Sequence, residues 1–155
     1  METAASLNEL MSKVGALMLH WSWLEQGLRS SLEDLRRQTG RSAERTAGTF
    51  NERLTAWHEL SSLAHEAPEK RELAKAACDQ AAELRRIRNH VVHGLQSADA
   101  RPENGRPTIC CLVGGHDDPA AGTVTYTIDD LEHFAQAMDA CRRAFVSVDH
   151  FNYRL

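Results

Sequence analysis

The segment "LRRIRNHVVHGL", Leu84 to Leu95, gathers three arginines, one asparagine and two histidines into one short stretch. An imidazole exchanges a proton near neutral pH, since the pKa of an unperturbed histidine is about 6.5. A guanidinium carries a permanent planar charge that stabilises anionic oxygens. Arg88 and His93 are therefore a candidate pair for proton transfer beside an anionic group. A solvated helix face and a metal site are the competing interpretations.

The metal interpretation rests on His90 and His93, which lie three residues apart on one helical face. A zinc site needs three or four ligands, and the segment has no carboxylate or cysteine at ligand spacing. We therefore expect no metal and no cofactor. The sequence has no recognisable nucleophile elbow and no glycine-rich phosphate loop before a helix. The stretch "LVGGHDD" is interpreted as leading into a hairpin turn.

Spacing alone does not single out Arg88 and His93. Two other arginine–histidine pairs have the same spacing, namely Arg53/His58 and Arg85/His90. For those we expect solvated arginines and histidines at a helix edge, the default for these residue types. The Arg88 pair differs because Asn89 follows the arginine and shares a helical face with His93. His93 also precedes Gly94, at a predicted helix end whose dipole favours a cation.

Two charged residues interrupt the apolar stripes of predicted helices. Arg88 falls within the stripe of the third helix, and Glu25 interrupts the stripe of the first. Burying a charge without a partner is costly. We therefore expect Glu25 to lie close to the third helix and to pair with Arg85 or Arg88.

Apolar residues recurring every three or four positions predict the elements that position these side chains. An unbroken stripe from Leu7 to Leu35 predicts a long first helix, which Gly40 stops. Thr49 and Glu52 have the spacing of a capping box and begin a shorter second helix.

The third helix is predicted to have Pro68 in its first turn and to end at Gly94 as a C′ residue. The alternating stretch "GTVTYTI" pairs with "TICCLVGG" in a predicted β-hairpin. Thr127 or Asp129 caps the last helix. The expected fold class is all-α, a four-helix up-and-down bundle with a hairpin over Cys110–Ile128 between the third and fourth helices.

The chain of 155 residues, 42% hydrophobic and 26% charged, is expected to form one domain over residues 1–155. No apolar run approaches the roughly 20 residues that span a bilayer, and "METAASLNEL" has no basic n-region, so we expect a cytoplasmic protein. The formal net charge of −4 argues against indiscriminate nucleic-acid binding but allows a local basic pocket. The four cysteines have no CxxC spacing, which argues against a zinc finger and a disulfide framework.

The sequence resembles the HEPN family, the higher eukaryote and prokaryote nucleotide-binding domain. "RNHVVH", Arg88 to His93, matches that family's Arg-Asn-x3-His motif near the end of its third helix. "WSWLEQGL" in the first helix and "YTIDDLEHFAQAM" at the start of the last are of the kind seen in bacterial members. The order of helices agrees too, so the resemblance covers nearly the whole chain.

The resemblance implies a metal-independent endoribonuclease of toxin–antitoxin, antiphage or RNA-processing systems, which acts on RNA and commonly dimerises. It assigns Arg88 and His93 the catalytic positions and Asn89 the accompanying polar one. A toxin branch has a tyrosine two residues after the histidine, where a modifying antitoxin acts. Leu95 stands there in this chain, which argues against that route of regulation. Other HEPN domains are non-catalytic nucleotide-binding or scaffold modules, and a purely regulatory protein partner is a third hypothesis.

In the cleavage hypothesis His93 takes the proton of an RNA 2′-hydroxyl and Arg88 stabilises the charge on the phosphorane oxygens. Arg85 and Arg86 would hold flanking phosphates. Residues five apart on a helix are rotated by about 140° and separated by about 7.5 Å along the axis. Arg88 and His93 therefore do not share a face, and we expect a homodimer in which each arginine meets the partner's histidine. The alternative is a monomer with Arg88 packed inward and His93 as a solvated cap.

Overall fold

The computed structural model describes residues 2–42, 48–100 and 105–150, with side chains over 6–42, 48–100 and 105–147. The described residues are mostly helical, with four α-helices and one small antiparallel sheet. The helices are α1 (Glu2–Gln38), α2 (Phe50–Ala64), α3 (Pro68–Gly94) and α4 (Ile128–His150). The strands are β1 (Leu95–Asp99), β2 (Thr108–Leu112) and β3 (Thr123–Thr127). No helix over these residues has the length and apolar character needed to cross a membrane.

The predicted end of the first helix and the predicted start of the second are confirmed. Helix α1 stops at Gln38, and Gly40 follows with a φ of 72°, a conformation that favours glycine. Thr49 caps α2: its hydroxyl accepts from the Glu52 backbone N–H at 3.2 Å, and the Glu52 carboxylate accepts from the Thr49 backbone N–H at 2.7 Å. These hydrogen bonds satisfy two donors that the helix itself leaves without a partner.

Helix α3 begins at Pro68 and ends at Gly94, as the sequence predicts, but the role assigned to Gly94 is wrong. Gly94 belongs to the last helical turn and is not among the described glycines with a positive φ. It packs directly on the backbone of Leu112, where a Cβ would overlap the Leu112 carbonyl oxygen. Close approach of two backbones therefore requires glycine at this position.

The predicted hairpin is present as β2 and β3, which pair antiparallel with Ile109 opposite Tyr126. The sheet is larger than predicted, because β1 adds a third strand and the strand order is β1-β2-β3. Strand β1 follows α3 without a loop and contains a register shift between Leu95 and Ser97. Its side chains are mostly exposed, so it lacks the alternation that reveals a half-buried strand in sequence.

Thr127 is the residue that caps α4, one of the two predicted alternatives. Its hydroxyl accepts from the Asp130 backbone N–H at 3.1 Å, and the Asp130 carboxylate accepts from the Thr127 backbone N–H at 2.8 Å. The chain thus passes from β3 into α4 through a reciprocal cap, without an intervening loop.

The chain divides into two compact units, and a single domain over residues 1–155 stays a prediction. The first unit comprises Met1–Trp21 and Leu84–Ala137, and it contains the whole sheet. Its buried residues include Ile109, Tyr126 and Leu131.

The second unit comprises Ser22–Glu83 and Met138–Leu155. Its core contains Trp57, whose indole N–H donates to the Ser31 hydroxyl at 2.8 Å, which in turn donates to the Phe145 carbonyl at 3.0 Å. The Trp57 and Phe145 rings meet edge to face with centroids 4.7 Å apart. The Trp57 ring is therefore buried against Phe145 while its indole N–H keeps a hydrogen-bond partner.

His65, at the end of α2 in the second unit, makes stability depend on pH. It is 2% exposed, and neither ring nitrogen has a hydrogen-bond partner among the described residues. Burial, with a smaller effect of the Lys70 charge, lowers the pKa of His65 below its usual value near 6.5. The unfolded chain then binds the proton more readily than the folded chain, so stability falls as pH drops below that value.

We expect the free energy of unfolding to decrease less between pH 8 and pH 5 in His65→Met than in the native chain. Denaturant unfolding at the two pH values measures this difference. His58→Met, at a half-buried histidine on the same helix, is the matched control. Equal decreases in the native chain and in His65→Met would contradict the assignment.

Candidate active site

The motif residues lie in the last three turns of α3 and belong to the first unit. Arg85, Arg88 and Asn89 are half-buried, whereas Arg86 and His93 are exposed. The predicted catalytic arginine and histidine therefore have different surroundings on one helix, as their five-residue separation requires.

Arg88 is held by two neighbours in the first unit. Its guanidinium carbon lies 5.8 Å from the ring centroid of Trp21, within the range of a cation–π interaction. One terminal nitrogen donates to the Asn89 side-chain oxygen at 3.0 Å. The Arg88 Nε is buried without a hydrogen-bond partner among the described residues. A buried donor of this kind costs free energy until an acceptor reaches it.

His93 stands in the last turn of α3 with its side chain exposed. Its carbonyl oxygen accepts from the backbone N–H of His116 at 3.2 Å. This hydrogen bond ties the end of α3 to the loop that follows β2, and it satisfies one carbonyl of the final helical turn.

A cleft of about 510 Å³ opens between these two segments. Asn89 and His93 line it from α3, and Gly115, His116 and Asp117 line it from the loop. Its volume falls within the ordinary range of small-ligand sites. Asn89 lines the cleft together with His93, and its side-chain oxygen also accepts the hydrogen bond from Arg88.

His90 is a structural residue, and the expectation of a solvated histidine at this position is wrong. The side chain is 3% exposed, and its Nδ1 shares a hydrogen bond of 2.7 Å with the Tyr126 hydroxyl. The two rings stack with centroids 6.2 Å apart. The sequence signal for burial is its place between two apolar residues of α3, Ile87 one turn earlier and Val91 directly after it, which are also buried.

The other residues considered from sequence fall outside this cleft. Arg53 donates to the Gly48 carbonyl at 2.7 Å beside the α2 cap, and His58 is half-buried on α2. Glu25 is half-buried on α1 within the second unit, and its pairing with Arg85 or Arg88 stays a prediction. Among the side chains that the structure describes, no three histidine, cysteine or acidic groups cluster as metal ligands.

Three of the cysteines are poor nucleophiles. Burial raises the pKa of Cys78 and Cys141 to about 12, and that of Cys111 to about 11. A thiol with so high a pKa is almost entirely protonated at neutral pH, whereas the thiolate is the reactive form. Cys110 and Cys111 lie side by side on β2, where the second is fully buried and the first half-buried.

The loop after β2 is the part of the cleft that the sequence interpretation missed. Gly115 has a φ of 70°, and a Cβ on it would lie 3.2 Å from the His93 carbonyl oxygen. A Cβ on Gly114 would lie 2.5 Å from the carbonyl oxygen of Asp118. The paired glycines are the available sequence signal, because glycine before a polar run allows close backbone approach.

Because Gly94 packs on the backbone of β2 beside the cleft, we expect one added methyl group there to destabilise the protein. In Gly94→Ala the added Cβ meets Leu112 backbone atoms, which cannot rotate away as a side chain can. We expect the free energy of unfolding to fall by about 1–3 kcal/mol, the usual cost of overpacking. Denaturant unfolding measures the change.

Gly15→Ala provides the matched control for this variant. Gly15 lies exposed inside α1, with nothing within 4 Å of an added Cβ. Alanine there should stabilise the chain by about 0.5–1 kcal/mol through its higher helix propensity. A Gly94→Ala variant as stable as the native chain would refute the close packing at Leu112.

Comparison of the chain with protein-family models, with curated proteins and with solved structures finds no significant match. The resemblance to HEPN proteins is therefore a prediction from the sequence, made on the residues of the motif and the order of the helices.

Proposed function

We propose that the chain is a metal-independent endoribonuclease of the HEPN type. The observation that carries the proposal is the cleft at the end of α3, where exposed His93 faces open space and Asn89 links the cleft to Arg88. His93 thus offers a proton-transfer group at an accessible cleft, and Arg88, which does not line the cleft, is a permanent cation bonded to one of its lining residues. This combination suits phosphodiester cleavage without a metal.

In this mechanism His93 accepts the proton of the 2′-hydroxyl as the 2′-oxygen attacks the adjacent phosphorus. The bond from phosphorus to the 5′-oxygen breaks and that oxygen takes up a proton, which leaves a 2′,3′-cyclic phosphate and a 5′-hydroxyl. Arg88 stabilises the negative charge on the non-bridging oxygens of the transition state. Arg85 and Arg86, on the same turns of α3, hold the flanking phosphates.

The proposed assembly is a cytoplasmic homodimer of up-and-down four-helix domains with the two "RNHVVH" segments facing each other. Because Arg88 and His93 point to different sides of α3, a two-fold axis beside the motif would bring each arginine towards the partner's histidine. Sedimentation at micromolar concentration tests this assembly. A monomer, or a dimer formed on the opposite face, would contradict the composite site.

Induced expression in a bacterial host tests the function in cells. An antitoxin or another regulatory protein is the proposed partner that would restrain the chain there. We expect growth arrest and fragmented cellular RNA with the native chain, and neither with His93→Ala. Toxicity that survives in His93→Ala at equal protein level would contradict cleavage by this residue.

The second candidate function is a non-catalytic nucleotide-binding or scaffold module of the same family. The packing of Arg88 against Trp21 favours it, because a half-buried arginine with two intramolecular partners can serve stability alone. A stable native protein that binds a nucleotide, cuts no RNA and is not toxic would support this alternative over the nuclease.

A further inference from the structure

We propose that His116 is a second catalytic residue of the proposed nuclease, the acid that protonates the departing 5′-oxygen. This assignment rests on the proposed function and deepens it. It starts from the cleft, where His116 lines one wall and His93 the other. Of the histidines whose side chains the structure describes, these two line the cleft, and both are exposed.

The position of His116 is set by the backbone. Its N–H donates to the His93 carbonyl at 3.2 Å, and the preceding Gly115 N–H donates to the Leu112 carbonyl at 3.2 Å. At the base of the loop, the Val113 N–H donates to the Gly122 carbonyl at 2.9 Å. The loop is thereby fastened both to β2 and to the end of α3. The backbones of His93 and His116 are thereby held together beside the cleft that both residues line.

The glycines before His116 make this approach possible. Gly115 adopts a left-handed φ of 70°, and its α-carbon faces the backbone of His93, where a Cβ would lie 3.2 Å from the carbonyl oxygen. A side chain at that position would push the loop away from α3. The arrangement therefore depends on glycine directly before the histidine, which indicates that the two histidines are positioned together.

Cleavage of RNA by this route transfers two protons, one from the 2′-hydroxyl and one to the 5′-oxygen, and a concerted step needs one group for each transfer. As the 2′-oxygen attacks, His93 takes the 2′-hydroxyl proton. As the bond between phosphorus and the 5′-oxygen breaks, the His116 imidazolium gives its proton to that oxygen, which leaves as an alcohol. One proton is accepted and one is donated, so the step balances without a metal or another co-reactant. General acid catalysis of this kind contributes about 10²–10⁴-fold to a rate.

A substrate whose leaving group needs no proton tests this role. The linkage that the native chain cleaves is first mapped in a single-stranded RNA oligonucleotide. The same oligonucleotide is then synthesised with sulfur in place of the bridging 5′-oxygen at that linkage. A thiol is far more acidic than an alcohol, with a pKa of about 8.5 in cysteine, so a thiolate departs unprotonated. Rate constants are then compared for the native chain, His116→Ala and His93→Ala on both substrates.

We expect His116→Ala to cleave the natural linkage about 10²–10⁴-fold more slowly than the native chain. On the sulfur-containing linkage its rate should return to within about tenfold of the native rate. His93→Ala should be slow on both substrates, because the 2′-hydroxyl still has to lose its proton. His133→Ala, at an exposed histidine on α4, is the matched control and should behave as the native chain on both.

The outcomes separate the two proposals. An active native chain with an unimpaired His116→Ala variant would overturn the role of His116 and leave the nuclease intact. If His116→Ala reduced the cleavage rate equally on the oxygen and sulfur linkages, the role of His116 as an acid would also be overturned. A residue that only supports the structure would slow both reactions equally. A native chain that cuts no RNA would overturn the nuclease, and the role of His116 with it.

Discussion

His93→Ala is expected to lose about 10²–10⁴-fold in the rate of RNA cleavage, the usual contribution of a positioned general base. The side chain is exposed in the last turn of α3, and the hydrogen bond to His116 is made by its backbone carbonyl. Alanine therefore removes the imidazole and leaves the loop attached. The rate constant for cleavage of a labelled single-stranded RNA measures the effect.

Destabilisation of the fold must be excluded as the cause of that loss. We expect the unfolding midpoint of His93→Ala to match that of the native chain, because an exposed side chain contributes little to stability. His133→Ala provides the matched control, with an exposed histidine of the same unit removed outside the cleft. Equal activity of His93→Ala and His133→Ala would remove His93 from the mechanism.

Arg88→Ala is expected to lose about 10²–10³-fold in cleavage rate, the range found when one transition-state donor is removed. Arg88→Lys keeps the charge but not the planar fork of donors, so it should recover only part of that loss. Arg88→Ala also loses the hydrogen bond to Asn89, and comparing the unfolding midpoints of both variants separates stability from catalysis. Full activity in Arg88→Lys would reduce the role of Arg88 to that of a point charge.

Mixing two inactive variants tests whether the site is shared between protomers. If Arg88 of one chain acts with the partner's His93, a heterodimer of Arg88→Ala and His93→Ala has one intact site. Random exchange of equal amounts then restores about a quarter of the native activity, since half of the dimers carry one working site of two. A mixture no more active than its parents would place both residues of a site in a single chain.

The elements most completely predicted from sequence are those with local causes. They depend on residues a few positions apart: the capping box of Thr49 and Glu52, the end of α1 shortly before Gly40, and the start of α3 at Pro68. A short-range hydrogen bond or a glycine conformation leaves its signature directly in the sequence.

The features that were missed depend on long-range contacts. Strand β1 is polar and mostly exposed, and it exists because its backbone pairs with β2. Gly94 has no unusual φ, and its necessity arises from the Leu112 backbone that packs on it. His90 is buried by Tyr126, a residue from a separate strand.

The candidate site divides in the same way. The motif names Arg88, Asn89 and His93, and periodicity alone separates the first from the last on the helix. His116 enters the cleft only because the β-sheet returns the chain to the end of α3. No spacing rule connects residues so far apart in the chain, so the sequence alone does not predict that the loop with His116 forms the opposite wall of the cleft.

The chemical nature of the cut ends tests the central claim most directly. The native chain is incubated with a single-stranded RNA of mixed sequence in excess EDTA, and the products are analysed by mass spectrometry. Attack by the 2′-oxygen predicts upstream fragments that end in a 2′,3′-cyclic phosphate and downstream fragments that begin with a 5′-hydroxyl. His93→Ala should form both far more slowly. Fragments with 3′-hydroxyl and 5′-phosphate ends, or cleavage that stops in EDTA, would contradict metal-independent catalysis by Arg88 and His93.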